Sequence, residues 1–204
     1  VCLYFLFLMK IIAVDLDEVL TETTHALLKS KRNRINWKKI TWDEVSSHDL
    51  WKNQKIKISK RKLVWILFWL LLGAGIWNKI EPVVGAKTKL KEFKKKWYKL
   101  YIVTARHFSL TFSTWIRIYK NYKSIFDGIK FANSFTKSRF SKKKSEICKK
   151  LWADIIIEDN LENAIECANE WIKVYLIDKP WNQAYDKKKH KWIIKVNSWS
   201  EIEI

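Results

Sequence analysis

Glycine is scarce in this chain, with 4 in 204 residues, and it is accompanied by only 2 Pro and 1 Met. Collagen-like repeats and Gly/Pro-rich low-complexity linkers are thereby excluded. Cysteine is equally thin: Cys2, Cys148 and Cys167 are odd in number and show no CxxC spacing. Neither a disulfide framework nor a zinc site is indicated, and a reducing cytoplasm fits this usage. Acidic residues are outnumbered, 21 Asp and Glu against 40 Lys and Arg, for a net charge of +19. The uncharged run from Leu63 to Trp77 falls short of the ~20 residues that cross a bilayer as a helix, so it predicts a buried helix and no membrane partner. The opening VCLYFLFL has no basic stretch before it and no small-residue cleavage site after it, which argues against a signal peptide. Met9 is the expected start, with residues 1–8 an upstream extension.

What is present is apolar surface. Hydrophobic residues make up 48% and aromatics 15% of the chain, enough to build a packed core. The length favours one domain carrying a small insertion. The positive charge has two readings. It draws phosphate-bearing partners through the summed surface field, or it follows from a nucleotide-composition bias that also enriches Ile, Asn, Tyr and Phe.

Ile11–Val14 is a short β-rich run that stops abruptly at acidic residues, as a central strand buried on both faces does. The same grammar recurs at Leu100–Thr104, Ala153–Ile157 and Lys173–Ile177, with a weaker run at Ile129–Ala132. Helices are predicted over Ala86–Lys96, Ser109–Tyr122, Lys142–Leu151 and Leu161–Glu170. Strands alternating with such helices predict an α/β fold, a doubly wound parallel sheet with right-handed crossovers. Between about Lys31 and Ile80 the alternation gives way to a stretch dense in Trp, Lys and apolar residues. It is expected to be a small, mainly helical cap inserted after the first strand and helix. Residues 9–30 and 81–204 then form the α/β core.

In open parallel sheets, ligands bind beyond the carboxyl ends of the strands. Asp15 and Asp17, in VDLDEVL, follow the first strand. One of such a pair can attack phosphorus while the other moves protons. Thr104, in YIVTAR, offers a hydroxyl after the second strand, and the turn beginning at Ala105 offers backbone N–H groups; Arg106 is a secondary candidate for added charge. The Lys142–Lys144 run that opens KKKSEICKKL offers a fixed cation to neutralise phosphate and nucleophile, with Lys144, followed by Ser145 and Glu146, the one that the resemblance named below favours. Glu158 and Asp159, in IIIEDN, form a second acidic cluster of the kind Mg²⁺ prefers.

These four pieces, in this order, resemble the motifs of the haloacid dehalogenase superfamily. AVDLDEVL, PVVGA, YIVTAR and IEDNLENAIECAN followed by DKPWN look most like its 5′(3′)-deoxyribonucleotidase branch and the bacterial nucleotidases related to it. The resemblance implies a Mg²⁺-dependent phosphatase working through an aspartyl-phosphate, with nucleoside monophosphates as favoured substrates. It implies Asp15 as nucleophile, Asp17 as acid and base, and Thr104, Ala105 and Lys144 as phosphate ligands. The metal would be held by Asp15, Asp159 and the backbone carbonyl of Asp17. Relatives often carry Asp where this chain has Glu158, which leaves that role open. Phosphatases of sugar phosphates or of nucleic-acid ends, and an inactive basic nucleic-acid-binding protein on the same scaffold, are the alternatives. His25, His48, His107 and His190 lack metal-ligand spacing; His48, with Asp49, is the candidate for a substrate contact from the cap.

Three junctions where a helix turns into a strand, KKKWYKLYIVT, KKLWADIII and ANEWIKVYLI, carry Trp97, Trp152 and Trp171 at the turn. Such turns favour Gly in the left-handed conformation, and Gly is usual there in the resembling family. Average usage would give roughly fourteen Gly in a chain of this length, against 4 Gly and 13 Trp. The expectation is that the source decodes UGA as Gly, and that the printed sequence reads those codons as Trp. Trp181, in DKPWN, fits the family pattern and is expected to be a true Trp.

Overall fold

The computed structural model describes residues 9–29, 34–35, 38–39, 41–47, 50–52, 58–77, 80–134 and 140–204. Six parallel strands form one sheet in the order β5-β4-β1-β6-β7-β8. They are β1 (Ile11–Val14), β4 (Lys99–Thr104), β5 (Gly128–Phe131), β6 (Ile155–Glu158), β7 (Lys173–Ile177) and β8 (Ile193–Val196). A separate antiparallel pair joins β2 (Arg34–Ile35) to β3 (Lys38–Lys39). The helices are α1 (Thr23–Lys29), α2 (Lys60–Trp77), α3 (Ala86–Lys95), α4 (Thr111–Tyr122), α5 (Lys144–Leu151) and α6 (Leu161–Asn169).

The expected doubly wound α/β sheet is present, and its central strands are buried. Ile12, Ala13 and Val14 of β1 and Ile156 and Ile157 of β6 are inaccessible to solvent. Their side chains divide between two cores. Ile12, Val14, Ile155 and Ile157 face α3 and α4 residues such as Leu90, Phe93 and Ile118. Ala13, Ile156, Val174 and Leu176 face α5 and α6 through Cys148, Ala164 and Cys167. One layer of helices thus covers each face, the condition under which a parallel strand reads as an unbroken apolar run. The two buried cysteines are free thiols. Two expected helices begin later than their sequence suggests: a 3-10 turn over Phe108–Leu110 precedes α4, and Lys143 is the N-cap of α5.

The apolar run from Leu63 to Trp77 lies within α2, which packs on α4. Its buried Leu63, Ile66, Leu70 and Leu71 meet Leu27, Leu28, Leu50 and Leu110 in a third cluster. Among the described residues no helix is long and apolar enough to cross a membrane.

The three suspect tryptophans take the backbone expected of them. Trp97, Trp152 and Trp171 have φ of 65°, 57° and 62°. Each sits one residue before a 6→1 hydrogen bond that closes the preceding helix: Tyr98 N–H to Phe93 O, Ala153 N–H to Cys148 O and Ile172 N–H to Cys167 O. This is the Schellman closure whose left-handed residue is usually Gly. All three indoles are largely in solvent, at 75, 85 and 76% exposure, so burial does little to offset the backbone cost. Trp199, by contrast, is buried and donates its indole N–H to Val19 O at 2.9 Å. Trp97→Gly, Trp152→Gly and Trp171→Gly are each expected to relieve about 1–3 kcal/mol of strain. Glycine's larger unfolded-state entropy takes back up to about 1 kcal/mol. Thermal unfolding of the triple variant checks this, with a melting temperature above wild type expected, and UGG codons at all three positions in the gene would contradict the recoding.

Candidate active site

β1 and β6 run side by side and both end in carboxylates, so the fold puts the two acidic clusters next to each other. Asp15 N–H donates to Ile157 O at 2.9 Å, which continues the pairing one residue past β1. Oxygens of Asp15, Glu158 and Asp159 lie within 4.8 Å of one another, and all three residues are buried. Hard oxygen donors this close together, with a net negative charge, fit a divalent cation such as Mg²⁺.

Lys144, at the start of α5, reaches into this cluster. Its Nζ is 2.8 Å from Asp15 Oδ1 and 2.9 Å from Glu158 Oε2. Burial alone would drive an ammonium's pKa down, but the two carboxylates hold that of Lys144 far above the usual lysine range. Burial pushes Asp15 the other way, well above the usual carboxylate range, and the Glu158 charge adds to this while Lys144 opposes it. Glu158 Oε1 also accepts from Asn160 N–H at 3.3 Å and from Asn163 Nδ2 at 3.1 Å. With Lys144 on both of its oxygens, Glu158 is well supplied with donors and fixes the ammonium beside Asp15.

Asp17 stands in a different field. Arg106 grips it in a fork, NH2 to Oδ1 at 2.6 Å and Nε to Oδ2 at 2.9 Å, and Thr23 Oγ1 donates to the same Oδ1. Burial would raise its carboxyl, but the Arg106 charge and these hydrogen bonds hold it below the usual carboxylate range. Arg106 is itself anchored by NH1 on Thr114 Oγ1 at 3.1 Å. The candidate for added phosphate charge is therefore directed at Asp17. Thr104 ends β4 fully buried, and its Oγ1 accepts from Arg106 N–H at 3.2 Å. Ala105 opens the turn that follows and lines the cavity.

Asp159 is clamped from the loop after β7. Trp181 Nε1–H donates to Oδ2 at 2.9 Å, and Asn182 Nδ2 donates to the Asp159 carbonyl at 2.9 Å and to Ile177 O at 2.7 Å. Of the sequence-derived candidates, Asp15, Asp17, Ala105, Arg106 and Lys144 line one cavity; Glu158 and Asp159 are buried against Asp15, and Thr104 is buried behind Ala105 without lining the cavity. His48 and Asp49 lie outside the described residues. His107 lines the cavity wall and caps the 3-10 turn before α4.

Thr23, Thr114, Asn163 and Asn182 were not legible as site residues, because each acts through a contact that no short motif records. DKPWN was the available signal for Asn182. The apolar wall was also missed. Leu63, Leu67, Phe68 and Leu71 of α2 line the same cavity as the carboxylates, joined by Leu27 and Leu110.

A family model for the 5′ nucleotidase, deoxy (pyrimidine), cytosolic type C proteins matches residues 9–204. Among curated proteins no sequence matches the chain. Solved structures do. A haloacid dehalogenase-like family hydrolase from Streptococcus pneumoniae superposes with a TM-score of 0.66 at 17% identity, over 95% of this chain and 96% of that one. CbbY from Rhodobacter sphaeroides, in complex with phosphate, gives 0.61 at 13%, over 95 and 96%. A family IA haloacid dehalogenase-type hydrolase from Entamoeba histolytica gives 0.62 at 18%, over 96% of each chain. At such identities the likeness shows the fold.

Proposed function

On the premise that the chain belongs to the cytosolic type C 5′ nucleotidase family, and so to the haloacid dehalogenase-like phosphatases, we propose that it hydrolyses nucleoside monophosphates through a phosphorylated Asp15. The observation that carries the reading is the 2.8 Å contact between Asp15 Oδ1 and Lys144 Nζ in the lining of a cavity that Asp17 also lines. Lys144 offsets the charge of nucleophile and phosphate together, and Thr104 with the Ala105 turn offers donors to phosphate oxygens. Asp17 gives a proton to the leaving oxygen and takes one from the water that later attacks phosphorus. Arg106 favours the carboxylate of Asp17 in the free protein, the form that the second of these roles needs; for the first, Asp17 takes up a proton from solvent when the negative charge of the phosphate arrives beside it.

Asp15, Asp159 and the Asp17 carbonyl would hold Mg²⁺, which, when bound, orients the phosphate and offsets its charge. Glu158 serves this site by fixing Lys144. Residues 31–80 are taken as the cap and residues 9–30 and 81–204 as the core. The cap's leucines and Phe68 suit the flat face of a nucleobase better than a sugar polyol, whose hydroxyls would lose their partners against such a wall. The free thiols agree with action in a reducing cytoplasm.

Phosphate release measured over nucleoside monophosphates, sugar phosphates and 5′-phosphorylated DNA ends tests the reading. Mg²⁺-dependent release from nucleoside monophosphates is expected, with suppression by excess Ca²⁺, whose looser coordination disturbs an octahedral site. Full activity in chelator would contradict it. Nucleic-acid binding without any phosphate release would favour an inactive binding protein, for which the +19 charge is the one argument.

A further inference from the structure

We infer that Glu18 is an outer-sphere carboxylate of the cation site, its Oε2 accepting a hydrogen bond from a water molecule coordinated to Mg²⁺. The inference rests on the proposed function, since it needs a cation at Asp15 and Asp159.

Glu18 follows Asp17 with φ of 64°. Only Gly takes that region freely, so a Glu there carries backbone strain. The side chain is 3% exposed and lines the same cavity as Asp15 and Asp17. Its two oxygens are served unequally. Oε1 accepts from Thr24 N–H in the first turn of α1. Oε2 is buried and has no hydrogen-bond donor; the ammonium of Lys179 stands 4.0 Å from it. Buried carboxylate oxygens are costly to leave in that state.

The place of Oε2 suggests the missing donor. Lys179 belongs to the loop after β7 that holds Asp159 through Trp181 and Asn182. Glu18 therefore bridges the turn that carries Asp17 and the loop that fixes Asp159. Magnesium gives up its hydration reluctantly and keeps several waters when carboxylates bind it. Those waters are strong donors, and the groups that accept from them orient the site. Capping α1 uses only Oε1, and a 4.0 Å ion pair leaves the lone pairs of Oε2 unused. A coordinated water supplies what Oε2 lacks.

Calorimetric titration of the full chain with Mg²⁺ alone, without substrate, tests this. Glu18→Gln keeps an oxygen for Thr24 N–H but replaces the acceptor Oε2 by a donor. Its Mg²⁺ affinity is expected to fall about 10–100-fold, while the metal-free protein unfolds at no lower temperature than wild type. Glu18→Gly relaxes the backbone and should show the same loss even if the Gln variant folds poorly. Lys179→Met should bind Mg²⁺ at least as tightly as wild type, because a nearby cation is removed. Wild-type affinity in both Glu18 variants would overturn the inference. So would a loss in Lys179→Met equal to that in Glu18→Gln, which would make the pair a latch for the loop. Wild-type protein that takes no Mg²⁺ at millimolar concentration would overturn this and the proposed function together. Loss in Asp159→Asn with none in the Glu18 variants overturns this inference alone.

Discussion

Asp15→Asn is expected to lose at least about 10⁴-fold in kcat, the scale on which removing a nucleophile from a cooperating set is felt, while its metal-free form unfolds at no lower temperature than wild type. The two halves have one cause. Asp15 is a buried anion beside the Glu158 charge, and its carboxyl is raised well above the usual range. A folded-state pKa above the unfolded one means that the native protein holds its proton more tightly. The cost of ionising Asp15 is therefore absent below the ordinary carboxylate value and grows as pH rises through the raised one. Asparagine removes that cost and keeps an oxygen 2.8 Å from the Lys144 ammonium, but it cannot attack phosphorus. Thermal unfolding in chelator and phosphate release in Mg²⁺ check the two halves. Near-normal turnover would remove Asp15 from the mechanism, and a much less stable fold would leave the loss of activity without meaning.

Lys144→Met has the second large effect, and it falls on stability as well as activity. The ammonium is the shared partner of Asp15 and Glu158 at 2.8 and 2.9 Å, in a place 3% exposed. Removing one member of a buried ionic cluster leaves charge uncompensated, at a cost of about 3–5 kcal/mol. The sign of the pH dependence follows from which groups remain. Lys144 has a raised pKa, so its contribution is complete below the ordinary lysine value and constant across neutral pH in the wild type. In the variant, Asp15 loses the cation that opposed its upward shift. The deficit should be smaller near about pH 4.5, where Asp15 takes up a proton, and full near about pH 8. Urea unfolding at the two pH values measures it; an equal deficit at both would show that packing, not charge, is what Lys144 provides.

The parallel strands were legible because burial on both faces writes them as apolar runs stopped by acids, as at Ile155–Glu158 and Lys173–Ile177. β8 was missed. It lies at the sheet edge with Ile194 exposed, so Ile193–Val196 lacks the run that marks its neighbours. The left-handed turns at Trp97, Trp152 and Trp171 were legible from the helix-to-strand junctions that carry them, and the shortage of glycine agreed. At the site, the candidate carboxylates and Thr104 come at strand ends and Lys144 at a helix start, so they announce themselves by position. Their partners do not: Arg106 meets Asp17 across 89 residues, and Trp181 meets Asp159 across 22. Glu18 escaped for the opposite reason, since one acid beside two others in VDLDEVL reads as more of the same.

The proposed mechanism requires Asp15 to carry the phosphoryl group, and Asp17→Asn with an activated aryl phosphate reports on that most directly. Such a leaving group departs without a proton, so Asp15 can still be phosphorylated, but the water that should release phosphate has no base. Rapid acid quenching in Mg²⁺ followed by intact-mass and peptide analysis is expected to find the mass of one phosphoryl group per chain, on the peptide containing Asp15. Phosphate released over many turnovers from chains that never gain that mass, or wild-type turnover of nucleoside monophosphates by the Asp17→Asn variant, would contradict the mechanism.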